Sequence, residues 1–184
     1  RQRQMCIRDS MAHVYAHLYG VPCTGLRFFT VYGPWGRPDM ALFRFVESIL
    51  KDEPIQVFGG GEQTRDFTYI DDIVEGVLRT LDTPATGDGN WDPSAPNPAT
   101  SAAPWRVFNI GGGRPIPLLQ FIACIEDCLE KKAVMEFLPM QPGDVRHTEA
   151  DVQALSKAVG YTPSTPVDVG IPRFIEWYRT YYQA

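Results

Sequence analysis

Apolar and polar positions along this chain repeat with two different periods, and the switches between them predict its elements. Leu42, Phe43, Phe45, Val46, Ile49 and Leu50 fall mostly three and four residues apart. Residues 40–51 therefore predict an amphipathic helix, with Asp39 placed to cap it. Residues 24–32 are β-rich and lie between Pro22 and Gly33-Pro34, which predicts a buried strand. Short strands are expected at 54–58 and 65–69, separated by Gly59-Gly60-Gly61, and at 105–110 and 134–137. Further helices are expected at 11–19 with Gly20 as C-cap, at 71–81, at 117–130 with Pro117 in the first turn, at 151–159 and at 167–182. Strands and helices roughly alternate, so the fold class is α/β.

Two stretches break the pattern. Residues 82–104 are crowded with Pro, Gly, Ala, Asn, Ser and Thr, and predict a flexible surface excursion. Residues 1–10 have no clear periodicity and are rich in Arg and Gln. They read as a non-native lead-in to a domain formed by residues 11–184.

Composition narrows the function classes. With 184 residues, 44% hydrophobic and 21% charged, the chain has the make-up of one soluble domain with a sizeable core. Seventeen Lys and Arg against 22 Asp and Glu leave a net charge of −5, which argues against a nucleic-acid partner. No apolar run approaches the ~20 residues of a membrane span, and no apolar leader core opens the sequence. A cytoplasmic location without membrane contact is expected. Cys124 and Cys128 would sit one helical turn apart and read as small apolar residues rather than metal ligands. Reduced thiols are expected of all four cysteines.

Three clusters carry candidate chemistry. In the first, a strand runs into the turn Gly33-Pro34-Trp35-Gly36-Arg37-Pro38, and ligands of open α/β sheets bind where strands end. Thr30, Tyr32 and Arg37 offer polar groups there, and a guanidinium can grip a carboxylate or phosphate with two parallel hydrogen bonds. The alternative for Arg37 is a solvated surface arginine. In the second, a glycine turn leads into a strand at Arg65, where an arginine can approach a diphosphate. No Gly-Lys-Ser/Thr follows, so this is not a nucleotide-triphosphate loop. Of Asp71 and Asp72, one is expected to cap the next helix. The third is the polar turn Gln141-Pro142-Gly143-Asp144. Asp144 either accepts hydrogen bonds from sugar hydroxyls or stabilises its own turn. Asn109-Ile110-Gly111-Gly112-Gly113 looks like a phosphate cradle but reads as a strand-end turn. His13 and His17 lack a third ligand and read as ordinary surface or core histidines.

These clusters, in this order, resemble the extended short-chain dehydrogenase/reductase superfamily, within the NAD-dependent epimerases and dehydratases. The segments LRFFTVYGPWGRPDMALF, RDFTYIDDIVEGV, FNIGGG, QPGDV and GIPRFIEWYRTYY are most similar to UDP-glucuronate 4-epimerases. The likeness runs from about Met11 to the end. It implies the C-terminal part of a Rossmann-type fold with its small substrate-binding domain. It further implies Phe28 and Phe29 at the nicotinamide end of NAD, and Thr30 and Arg37 on the sugar carboxylate. Gln56, Val57 and Phe58 would border the uracil, Arg65 would face the diphosphate, and Gln141 and Asp144 would lie near the ribose-diphosphate. The partner is a UDP-sugar, and a homodimer of the complete enzyme is compatible with the family.

The departures concern the chemistry itself. The family's Tyr-x-x-x-Lys pair, carried into register, falls at positions 1 and 5, where this sequence has Arg1 and Met5. The glycine-rich dinucleotide motif is also absent from these 184 residues. No catalytic residue is therefore assigned, and the chain by itself is expected to be inactive. Two other readings remain open: another nucleotide-sugar enzyme, a decarboxylase or 4,6-dehydratase, and a non-catalytic module that binds sugar nucleotides.

Overall fold

The structure is a computed structural model that describes residues 2–183. Its fold is α/β, with strands and helices in rough alternation. The chain divides into two compact units. One holds the chain up to Phe28 with Glu75–Ile110 and Val152–Tyr161; the other holds Phe29–Val74, Gly111–Asp151 and the chain from Thr162 onward.

In the first unit, strand β1 (Cys23–Phe28) pairs in parallel with the strand Trp105–Ile110, Cys23 opposite Trp105 and Phe28 opposite Ile110. Helix α1 (Gln2–Tyr19) packs Ala16 against Ala103, Trp105 and Val107. It starts nine residues before the expected position 11, because residues 2–19 contain neither Pro nor Gly to stop it. Gly20 ends it in the left-handed region (φ 64°), its N–H donating to the Ala16 carbonyl, as expected of a C-cap. His13, half-buried, stands edge-on to Trp105 with Nε2 2.8 Å from Ser101 Oγ. The 82–104 excursion has little regular structure, but it is stitched locally. Asp88, Asp92 and Asn97 each accept a backbone N–H from two residues on, and Ala85, Ser101 and Ala103 are buried. The α1 residues Met5, Met11, Val14, Tyr15 and Leu18 remain exposed.

The second unit holds the larger core. Its helix α2 (Ala41–Leu50) buries Leu42, Phe43, Phe45, Val46 and Ile49, the face its spacing predicts. Strand β2 (Thr30–Tyr32) pairs in parallel with β5 (Phe67–Tyr69), and β3 (Ile55–Phe58) pairs in parallel with β8 (Met135–Leu138). The two-residue strands β4 (Thr64–Arg65) and β7 (Ile116–Pro117) pair antiparallel; β6 is the Trp105–Ile110 strand of the first unit. Two further helices pack together, α4 (Leu118–Leu129) and α6 (Val167–Tyr182); α3 (Ile70–Leu81) runs from this unit into the first, and α5 (Gln153–Val159) belongs to the first. Phe67 and Phe121 stack at 3.9 Å, with Tyr32 edge-on to both. Such pairs contribute about 0.5–1.5 kcal/mol beyond the area they bury.

Two expected strands are interrupted. The run at 24–32 breaks at Phe29, and the run at 65–69 breaks at Asp66. Asp66 explains its own break. Its fully buried carboxylate accepts backbone N–H groups from Gly112 and Gly113 at 2.9 Å and from Ala150 at 2.8 Å. A carboxylate out of water needs such donors, so the strand yields to the side chain. Asp39 does not cap α2. The N-cap position is Met40, without a side-chain bond. Neither Asp71 nor Asp72 stands as an N-cap: both lie in the first turn of α3, and Asp72 accepts from Thr165 N and Oγ1.

Candidate functional site

The second unit contains a cavity of about 510 Å³. Three separate stretches with predicted ligand contacts reach it. Thr30 comes from β2, Gln56 and Phe58 from β3, and Arg65 from β4. Strand pleating explains the pair on β3. Gln56 and Phe58 line the cavity, while Val57 is fully buried in the core and offers it no side chain. Phe45, Ile55 and Phe67 supply apolar wall.

Arg65 is tightly positioned. Its Nη2 donates to Asp144 Oδ1 at 2.8 Å, and Nη1 donates to the carbonyls of Thr64 and Arg146 at 3.0 and 3.2 Å. Gln63 Nε2 donates to the other oxygen of Asp144 at 2.8 Å. Asp144 is thus a support for a cavity arginine, and neither it nor Gln141 lines the cavity. Arg37 lines a smaller adjoining cavity of about 30 Å³ and pairs with Asp39: Nε donates to Oδ1 at 3.0 Å and Nη2 to Oδ2. That ion pair raises the guanidinium's pKa, through the hydrogen bond first and the charge second. Trp35, in the same turn, has φ 61°, a region bulky residues avoid. Its ring lies 5.3 Å from Trp177 and 5.0 Å from Tyr181, so packing on α6 holds the turn.

Sequence reasoning missed Arg44, Ser48 and Glu136. Arg44 and Ser48 sit one turn apart on the α2 face that meets the cavity, and Glu136 is the ladder partner of Gln56. A signal existed: Arg44 and Ser48 are two of the three polar positions in α2's apolar pattern, the third being Glu47. The first turn of α2, with no side-chain cap, opens beside Asp39, Met40 and Ala41 on the same cavity. The N-terminus of a helix favours an anion.

Phe28 ends β1 with 54% of its surface exposed, and Phe29 is half-buried. The glycine turn at 111–113 holds no external phosphate, since two of its N–H groups already bind Asp66. Among the described residues, no three His, Cys, Asp or Glu side chains are grouped to hold a metal, and no helix is long and apolar enough to cross a membrane.

Residues 6–95 match the profile of the NAD dependent epimerase/dehydratase family. A probable UDP-glucuronate 4-epimerase of Rhizobium meliloti is 48% identical over 95% of this chain and 52% of its own length. UDP-glucuronate 4-epimerase 2 of Arabidopsis thaliana is 44% identical over 95% of this chain and 40% of its own. The structure of UDP-glucuronic acid 4-epimerase from Bacillus cereus, in complex with UDP-glucuronic acid and NAD, aligns with a TM-score of 0.78 at 34% identity. That alignment covers 94% of this chain and 50% of the other. The chain spans about half the length of the relatives it matches.

Proposed function

The chain belongs to the NAD-dependent epimerase/dehydratase family, and we propose that it is the substrate-binding portion of an enzyme that epimerises UDP-glucuronate and UDP-galacturonate. The observation that carries this reading is the convergence of Thr30, Gln56, Phe58 and Arg65 on one cavity.

The parts suit a UDP-sugar chemically. A uracil ring needs an apolar face and an edge that both donates and accepts; Phe58 and the Gln56 amide offer these. A diphosphate needs fixed cations and N–H groups; Arg65, Arg44 and the open turn of α2 offer those. Thr30 and Arg37 would hold the sugar carboxylate. NAD, when bound, supplies reversible hydride transfer at the sugar C4, with no net redox. Phe28 offers the nicotinamide ring an apolar face, with Phe29 beside it in sequence. A 4-keto acid sugar is a β-keto acid and loses CO₂ when its carboxylate swings out of the ketone plane. A fork that fixes the carboxylate resists that swing.

The chain by itself should not turn over, because Arg1 and Met5 stand where the family's Tyr and Lys would be. Neither can exchange the 4-hydroxyl proton. UDP-glucuronate and NAD incubated with the purified chain should yield no UDP-galacturonate, while UDP should bind saturably in a calorimeter. Turnover by the chain alone, or UDP that fails to bind at millimolar concentration, contradicts this reading.

A further inference from the structure

We propose that Asp39 is the resident counter-ion of Arg37 and competes with the substrate carboxylate for the same edge of that guanidinium. The inference rests on the reading of Arg37 as the residue that grips the acid sugar.

Geometry is the first argument. Nε and Nη2 of Arg37 both donate to the two oxygens of Asp39, a fork-to-fork pair. This is the arrangement an arginine makes with any planar carboxylate. A uronate bound through the same two donors must displace Asp39. The pair is exchangeable, since its side chains are 68% and 63% exposed and solvent screens them.

Asp39 is not the N-cap residue of α2. That position is Met40, whose side chain makes no cap bond. What the local backbone does is present the carboxylate to Arg37. Pro38 stands between the two residues with its φ fixed, and Met40 N donates to the Arg37 carbonyl at 3.1 Å. A carboxylate tethered two residues away competes at high effective concentration.

Placement completes the case. Asp39 lines the large cavity and Arg37 the small one, and both cavities share Thr30, Met40, Ala41 and Phe67. The ion pair therefore stands where the two cavities meet, beside Thr30. An acid sugar exchanges its carboxylate for that of Asp39; a neutral sugar leaves the pair closed. Asp39 thereby sets how firmly the site holds an acid sugar.

The test is calorimetric titration of the chain with UDP-glucuronate and with UDP-glucose. Asp39→Asn should tighten UDP-glucuronate by about two- to fivefold, the scale of an exposed ion pair. UDP-glucose, which shares the diphosphate but lacks the carboxylate, should tighten by a smaller factor, and Asp39→Ser should behave alike. In an Arg37→Ala background, Asp39→Asn should lose its selective effect. If Asp39→Asn leaves UDP-glucuronate unchanged or weakens it, or shifts both sugars equally, the counter-ion role is wrong. If instead Arg37→Ala costs both sugars the same, the carboxylate reading of Arg37 falls, and this inference with it.

Discussion

Arg65 and Asp144 lie 79 residues apart in sequence and meet at 2.8 Å, with Arg65 only 16% exposed. The contact joins the glycine-turn cluster to the Gln141–Asp144 turn and fixes the direction of a cavity cation. Asp144→Asn keeps the shape but removes the charge. We predict that it weakens UDP binding by about threefold to tenfold, while Arg65→Ala costs about 1.5–3 kcal/mol, the worth of a bond to a charged group. Titration with UDP alone measures both. Equal affinity in wild type and Asp144→Asn would reduce Asp144 to a turn residue.

Asp66 should prove structural. Its carboxylate accepts three backbone N–H groups with no exposure to water. Asp66→Ala leaves those donors unpaired, which costs about 1–3 kcal/mol for each group left without a partner. Chemical denaturation should show a markedly lower midpoint. A variant as stable as wild type would mean water replaces the carboxylate at no cost.

Trp177 braces the turn that carries Arg37, through the ring of Trp35. Trp177→Ala should weaken UDP-glucuronate binding while leaving UDP binding within about twofold, since the loss of one aromatic pair is worth about 0.5–1.5 kcal/mol. Parallel titrations of the two ligands separate this from a general loss of fold, which would weaken both.

Glu126 gives the unit an acid-sensitive contact. Burial alone would raise its pKa, but Lys132 Nζ at 2.7 Å and Ala133 N at 2.9 Å donate to it, and the net shift is downward. A depressed carboxylate contributes stability above its unfolded pKa, about 4.3, and loses it as pH falls through the lower folded value. Glu126→Gln should flatten the fall in stability below about pH 5. An unchanged acid limb in urea denaturation would contradict this.

Much of the fold was legible because local periodicity and core packing agree: α2 and α4 bury the faces their spacing predicts. Three of the misses have one cause. Asp39, Asp66 and Asp72 each chose a distant or lateral partner over the local cap or strand that propensity favours. Partners such as Thr165 for Asp72, 93 residues on, leave no trace in local pattern. The candidate site was legible in part. Thr30, Gln56, Phe58 and Arg65 meet at the cavity, but Val57 is core. Alternation along β3 could have separated it from its neighbours. Arg44 was hidden within a helix whose apolar face drew the reading.

Arg44 tests how far the cavity itself, rather than the motifs, predicts ligand contacts. Arg44 lines the cavity from α2. Arg44→Ala should weaken UDP by about tenfold, as a charge-assisted contact implies, and reduce the salt dependence of binding. Affinity and salt dependence both unchanged would place the diphosphate elsewhere.

The most direct test of the central claim is amide chemical-shift mapping of the chain during titration with UDP-glucuronate. The account predicts that the saturating shifts centre on Thr30, Arg44, Gln56, Phe58 and Arg65. Shifts that centre instead on the groove lined by Cys128, Glu176 and Arg179, or a spectrum that does not respond, would contradict it.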